Sequence, residues 1–123
     1  MFAYNLVVVD IPEGITSIGE GSFIYCRSLK EVKFPKSLTF IGGGSFEDCS
    51  SLERVDLLHT KVQYLGDSAF SCCRSLREMK VPDSLQKFGV NLFWGCFKLV
   101  PSDVDVDWGH DVSAVVAYFR SIQ

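Results

Sequence analysis

The feature that most constrains the fold of this chain is a unit of about 23 residues that recurs along it. Each copy carries a Phe, a Cys three residues later and a Leu three residues after that. A fixed period of this length is typical of a solenoid, in which copies stack and share one core. The columns, with steps of 23, 24 and 23 residues, are Phe23, Phe46, Phe70 and Phe93; Cys26, Cys49, Cys73 and Cys96; and Leu29, Leu52, Leu76 and Leu99.

The order of residues within one copy predicts a strand, a second short extended segment and a tight turn. In the second copy, Val32 and Phe34 alternate with charged residues, which is the pattern of a half-buried strand. Pro35 ends this strand because proline cannot donate a hydrogen bond to a ladder. Leu38 and Ile41 are the expected inward residues of the next extended segment. The Gly- and Ser-rich residues that follow predict one or two tight helical turns.

Each copy is called a rung below. A single rung cannot bury its own apolar face, so stability must come from stacking. We assign the rungs to about residues 6–29, 30–52, 53–76 and 77–99, and a C-terminal cap to residues 100–123, all within one domain that spans residues 1–123.

The full repeat pattern has the form L-x-x-[IV]-x-[IFV]-P-x-x-[LIV]-x-x-I-G-x-x-[SA]-F-x-x-C-x-x-L. It resembles the BspA-like subfamily of leucine-rich repeats over about residues 6–99. The resemblance implies a leucine-rich-repeat solenoid with short parallel β-strands and short helical turns in each rung, closed by a C-terminal capping α-helix. It also implies a recognition scaffold for protein–protein or surface binding, and it supplies no catalytic residues.

Composition excludes several classes of partner. The net charge is −3 and the pI is about 5.3, so the chain lacks the basic surface that nucleic acid requires. No apolar run is long enough to insert into a membrane. The N-terminus carries no signal peptide, so we expect an intracellular location, cytoplasmic or organellar. A cell-surface location stays open if the chain is a fragment of a longer protein.

The outward strand positions form columns of alternating charge. Because stacked rungs place equivalent residues about 4.8 Å apart, neighbours of opposite sign stabilise the register. We expect the columns to neutralise one another, with a binding epitope as the alternative reading. One column also predicts a fifth strand around residues 102–106. The columns are Asp10, Lys33, Asp56, Lys80 and Asp103; Val8, Glu31, Arg54 and Glu78; and Val7, Lys30, Glu53 and Arg77.

Rung one breaks this charge rule and is the candidate partner-binding site. Val7 and Val8 stand where later rungs carry charges, and Phe2, Tyr4 and Leu6 lie just upstream. An exposed apolar strand edge invites pairing with another chain. Three interpretations stay open: residues 1–5 fold over as a cap, this end docks on a protein partner, or upstream rungs are missing.

The other end carries a predicted cap. Val112, Val115, Val116 and Phe119 form one helical stripe, with Asp111 as the expected N-cap. Aromatic residues in and after rung four are expected to seal this helix against the core. The alternative is that the helix docks in a partner's groove. The aromatic residues of this predicted seal are Trp94, Phe97, Trp108 and Phe119.

No group of residues carries a recognisable chemistry. The run Asp103, Asp105 and Asp107 lacks the Gly and Glu that a calcium loop requires at its sixth and twelfth positions. His59 and His110 have no cysteine or acid at ligand spacing for zinc. We therefore predict no catalytic, metal or cofactor-binding residues.

Cysteine usage points to free thiols. Four of the five cysteines occupy the core-facing column, so free thiols are expected, with pairing between column neighbours left open. Cys72 stands off the column and is the candidate reactive thiol.

The leading function is a non-catalytic scaffold for protein–protein interaction. It would bind a protein partner through the N-terminal rung or the solenoid face, as a small peripheral subunit of a hetero-oligomeric assembly. The alternative is a cell-surface adhesion or ligand-binding repeat domain.

Overall fold

The computed structural model describes residues 5–99 and 112–123, which form a parallel β-solenoid of about four rungs and one C-terminal helix. Each rung contributes one three-residue and one two-residue strand. The strands are β1 Val8–Asp10 and β2 Ser17–Ile18; β3 Glu31–Lys33 and β4 Phe40–Ile41; β5 Arg54–Asp56 and β6 Tyr64–Leu65; and β7 Glu78–Lys80 and β8 Lys87–Phe88; the helix α1 is Val112–Ile122.

The second strand of each rung builds one continuous sheet. Its order is β2-β4-β6-β8, all parallel, and Ile41 of β4 lies between Ile18 and Leu65 of the neighbouring strands. Residues one period apart are therefore direct neighbours, as the repeat predicts.

The first strands form two separate pairs. β1 pairs with β3 and β5 pairs with β7, in the register that places Asp10 beside Lys33 and Asp56 beside Lys80. Among the described residues no ladder joins β3 to β5, so the continuous strand face expected from the sequence is divided in the middle. The predicted strand around residues 102–106 lies outside the described residues.

The third side of the solenoid consists of linked tight turns. The N–H of Cys26 donates to the carbonyl of Phe23 within the rung, whereas the N–H of Phe23 donates to the carbonyl of Ser45 in the next rung. The predicted tight turns are present. Every second N–H group of the turn donates its hydrogen bond to the next rung, so no helix forms in this segment of the described chain. Two residues four apart adopt positive φ in every rung: Gly21 and Tyr25, Gly44 and Asp48, Ser68 and Cys72, and Asn91 and Gly95.

A column of stacked Phe side chains runs through the core. Centroids of successive rings in the Phe column are 5.2, 5.4 and 6.2 Å apart. The Cys and Leu columns lie buried beside it. Offset-stacked rings add to the burial energy of such residues. The structure thus confirms the stacking premise from which the inward and outward positions were assigned.

Helix α1 closes the C-terminal end. Val112, Val115, Val116 and Phe119 are its buried residues, which confirms the predicted stripe. The ring of Phe119 meets that of Phe93 edge-on at 5.4 Å. Asp111 lies outside the described residues.

The predicted aromatic seal is wrong for two of its residues. Trp94 is 51% exposed and Phe97 is 75% exposed. Their rung-three equivalents are Ser71, which is buried, and Arg74, which is exposed, so the exposure of Phe97 follows the repeat and that of Trp94 is particular to rung four. Buried Leu92 and Phe93 stand on the core side of this turn. Trp108 lies outside the described residues.

The glycine column marks where successive rungs come closest. A Cβ on Gly42 would lie 2.7 Å from the backbone nitrogen of Glu20, and one on Gly66 would meet the backbone nitrogen of Gly43. At Gly19 a Cβ would meet only the hydroxyl of Ser22, at 3.5 Å. The later glycines are thus required by the preceding rung, and that of rung one is not.

We expect Gly42→Ala to lower the free energy of unfolding by about 2 kcal/mol or more, because rungs one and two must separate to admit the methyl group. Gly19→Ala is the matched control. It should change stability by no more than about 1 kcal/mol, in the stabilising direction, because it only restricts the unfolded chain. Urea denaturation of both variants measures the difference, and equal effects would contradict the stacking geometry.

We expect Phe119→Ala to destabilise the protein by about 3 kcal/mol, because it uncovers the ring of Phe93 and leaves a cavity under α1. Ile122→Ala, on the same helix but at a 62% exposed position, should cost much less. Thermal unfolding followed by circular dichroism compares the two. A similar loss in both variants would show that α1 does not cap the core through Phe119.

Candidate protein-binding end of the solenoid

The N-terminal end of the solenoid is uncovered in the described part of the chain. Ile15 is 40% exposed, whereas Leu38 and Val62, in the same column, are fully buried. The difference arises because another rung precedes the rungs of Leu38 and Val62, while no described rung precedes rung one. Phe23 is likewise only partly buried, although the later phenylalanines of its column are inaccessible to solvent.

This end forms a shallow, largely apolar depression of about 330 Å³. One side of β1 and one side of β2 border it, and neither strand has a partner on that side among the described residues. Its lining residues are Val9, Asp10, Ile11, Pro12, Ile15, Ser17, Ile18, Gly19, Ser22 and Phe23.

The structure places the sequence-predicted site residues unequally. Val7 and Val8 are 47% and 51% exposed on the outward side of rung one. Leu6 packs partly buried against the core. Phe2 and Tyr4 lie outside the described residues. The sequence analysis missed Ile15, Gly19 and Phe23, because a repeat column suggests that all its members are equally covered.

The charged face shows where the alternating columns form ion pairs. The guanidinium of Arg54 lies 3.2 Å from the carboxylate of Glu78, and Arg77 pairs with Glu53. Both pairs join rungs three and four. Surface pairs of this kind are worth less than about 1 kcal/mol each, so they support the register rather than drive folding.

Between β3 and β5 the same face opens into a cleft of about 370 Å³. No ion pair crosses it within residues 5–99. Acidic and basic side chains alternate around the cleft, so it offers no field of one sign to steer a charged ligand. Its lining residues are Lys30, Glu31, Val32, Glu53, Arg54 and Asp56.

A family model described as a BspA type leucine-rich repeat region (6 copies) matches residues 2–105. The chain belongs to the BspA type leucine-rich repeat family. This confirms the resemblance inferred from the repeat pattern. Repeats of this family form scaffolds of the kind that mediate protein interactions and are generally not enzymes.

Two solved structures of leucine-rich repeat proteins resemble this family member. The protein from Bacteroides ovatus is 41% identical, with a TM-score of 0.70 over 76% of this chain and 24% of its own. The leucine-rich repeat protein of T. pallidum is 31% identical, with a TM-score of 0.71 over 85% of this chain and 52% of its own. The chain thus spans about a quarter and about half of these relatives. No curated protein sequence matches it.

This BspA type chain gives its column thiols a structural role. The thiols of Cys49, Cys73 and Cys96 each donate to a Phe carbonyl of the preceding rung, at 3.0–3.2 Å. Burial raises the pKa of Cys49 to about 12. The pKa of Cys73 is also raised well above its usual value, by its hydrogen bond with Cys96 and by burial. Cys49 and Cys73 therefore remain protonated, unlike a catalytic nucleophile.

The other residues considered for chemistry are dispersed. Nε2 of His59 lies 2.6 Å from the carbonyl oxygen of Phe34, so this ring ties the rung-three loop to rung two. Within the described ranges, no three His, Cys, Asp or Glu side chains come together around a potential metal position. Nor does any helix of those ranges have the length and apolar character needed to cross a bilayer. His110 and the run Asp103, Asp105 and Asp107 lie outside these ranges.

We expect Cys72 to be the first thiol to react with a disulfide reagent at pH 8, because it is the one cysteine of the five that is not buried. The column thiols should react only as the protein unfolds, since burial denies the reagent access to them. Five thiols should titrate in denaturant. Cys72→Ser should remove the fast phase. A count below five would reveal a disulfide and contradict the free-thiol assignment.

Proposed function

We propose that this protein is a non-catalytic protein-binding module that docks on its partner through the N-terminal end of the solenoid. The observation that carries the proposal is the pair Val7 and Val8, half exposed on an unpaired strand edge. Later rungs fill these two columns with charged residues. Apolar residues at an open strand edge favour association with another chain.

Exposed apolar side chains of rung one lie both on its outward face and at the open end. Val7 and Val8 lie on the outward face of rung one, and the depression that contains Ile15 and Phe23 opens beside it. Aliphatic and aromatic surface of this kind supplies the desolvated centre of a protein interface. The self-neutralising charged face of rungs three and four offers no comparable apolar area.

The proposed cellular role follows from the asymmetry of the two ends. Helix α1 closes the C-terminal end, so the solenoid can extend an assembly on one side only. A module with one end that binds a partner and one end covered by a helix suits a peripheral subunit of a larger complex. We propose that this complex is intracellular.

We expect Val7→Lys combined with Val8→Glu to abolish partner binding, because both changes place charges in the apolar contact. The full chain serves as bait in extracts of its own organism, with quantitative mass spectrometry of the proteins retained. A specific partner should be lost by at least tenfold from the double variant, a ratio equal to about 1.4 kcal/mol.

The matched control is Lys30→Ala combined with Glu31→Ala, which alters the same two columns one rung further on. It should retain the partner at the wild-type level. The control should unfold at the wild-type temperature because Lys30 and Glu31 are exposed. The valine variant should lose no more than about 1 kcal/mol, because Val8→Glu faces Glu31 in the ladder, so binding is compared at a temperature where both variants are folded. If the control loses the partner and the Val7 and Val8 variant retains it, the binding surface is the charged face and the proposal is wrong.

A further inference from the structure

Rung one presents to solvent the same face that each later rung presents to the rung before it. Gly42, Gly66 and Gly89 are glycines because the preceding backbone lies where a Cβ would stand. Gly19 occupies the same column, but a Cβ there would meet only the hydroxyl of Ser22 in its own rung, at 3.5 Å. A glycine that nothing in the described chain requires is explained if another rung stacks there.

The hydrogen-bonding groups of this face are arranged for such a rung. In rung two, the N–H groups of Thr39 and Gly42 donate to the carbonyls of Thr16 and Ile18, each at 2.8 Å. The equivalent donors of rung one are the N–H groups of Thr16 and Gly19, which the same register directs toward the open end. They have no acceptor among the described residues.

The turn segment offers the complementary acceptors. The N–H groups of Gly21, Phe23 and Tyr25 donate across to carbonyls of rung two at 2.8–3.0 Å. By the same geometry, the outward carbonyls of rung one belong to Glu20, Ser22 and Ile24. The open face therefore offers backbone donors along one side and acceptors along another, and only a parallel rung in register satisfies both.

The side chains of this face specify the sign of the incoming residue. The column of Asp10 continues as Lys33, Asp56 and Lys80, so its charge alternates at every step. Asp10 therefore calls for a Lys or Arg on the other side. The exposed ring face of Phe23 calls for an aromatic residue, as Phe46 receives Phe70 at 5.4 Å.

A second copy of this chain cannot supply that rung. The complementary face would be the far side of rung four, and α1 covers it. Phe119 lies on Phe93, the side chain of Arg120 donates to the carbonyl of Leu85 at 2.8 Å, and the amide of Gln123 bonds the backbone of Val81.

We infer that the open end receives the last rung of a parallel-β repeat segment, which carries a basic residue opposite Asp10 and an aromatic residue opposite Phe23. This inference rests on the proposed function and names the class of partner. Recognition is strand addition along β1 and β2, with specificity from the charge of one column. Gly19 is the residue that lets the incoming backbone approach.

The test uses the full chain labelled with ¹⁵N and a synthetic peptide of residues 6–29 that carries Asp10→Lys. This rung is a suitable surrogate because its far face pairs with rung two along both strands. We expect saturable shifts of the amide signals of Thr16 and Gly19. The unsubstituted peptide places Asp against Asp and should bind roughly tenfold more weakly.

The decisive variant is Gly19→Ala in the full chain, which should weaken the peptide by about tenfold or more while its unfolding temperature is kept or slightly raised. Unchanged affinity in this variant, or shifts confined to Val7 and Val8, would overturn the inference. So would self-association of the unmodified chain that Gly19→Ala abolishes, because the occupant would then be a second copy.

The two proposals fail separately. Val7→Lys combined with Val8→Glu should leave the peptide affinity within about threefold, because these side chains point away from the stacking face. Loss of the cellular partner in that variant tests the proposed function and does not depend on the peptide. If the Val7 and Val8 variant loses the cellular partner but no peptide binds the wild-type chain, the proposed rung stacking is wrong. The partner is then recruited by the apolar surface of Val7 and Val8 alone.

Discussion

The close approach of one rung to the next is the constraint on which the rest of this structure depends. It is closest at the glycine column, where Gly42 and Gly66 lie against backbone atoms of the preceding rung. That contact brings the Phe rings into a stack, lets the column thiols reach carbonyls across the gap and holds the sheet β2-β4-β6-β8 in register. Because each rung stabilises only its neighbours, the two ends are where the molecule must differ from its own repeat.

The repeat made most of the fold predictable from sequence. The period placed Phe46, Cys49 and Leu52 inward and Glu31 and Lys33 outward, because residues one period apart must touch in any stacked arrangement. Periodicity does not predict the structure of a rung that departs from the repeat. The divided strand face between β3 and β5 coincides with rung three, which has one extra residue and a loop tied back by His59. Trp94 and Phe97 were expected to seal the cap helix because they are aromatic, yet both are largely exposed.

The candidate site was only half visible in the sequence. Val7 and Val8 stand out in the sequence because their residue type differs from the charged residues of the later rungs. Ile15, Gly19 and Phe23 have the residue types expected for their columns, so the sequence gives no reason to single them out. Their significance is positional: a residue suited to being covered lies at a place where no described residue covers it. The signal that could have identified these three residues is that each is the first member of its column.

The divided strand face has a mechanical consequence. Rungs two and three are joined by ladder hydrogen bonds on the β4-β6 side and by none between β3 and β5 in the described chain. The turn segments also join these rungs, through the N–H groups of Phe46 and Asp48, so among the described residues the first-strand side is the one without backbone links. We therefore expect the curvature of the solenoid to adjust to a bound surface at this side, where the contact of His59 with Phe34 would limit the opening.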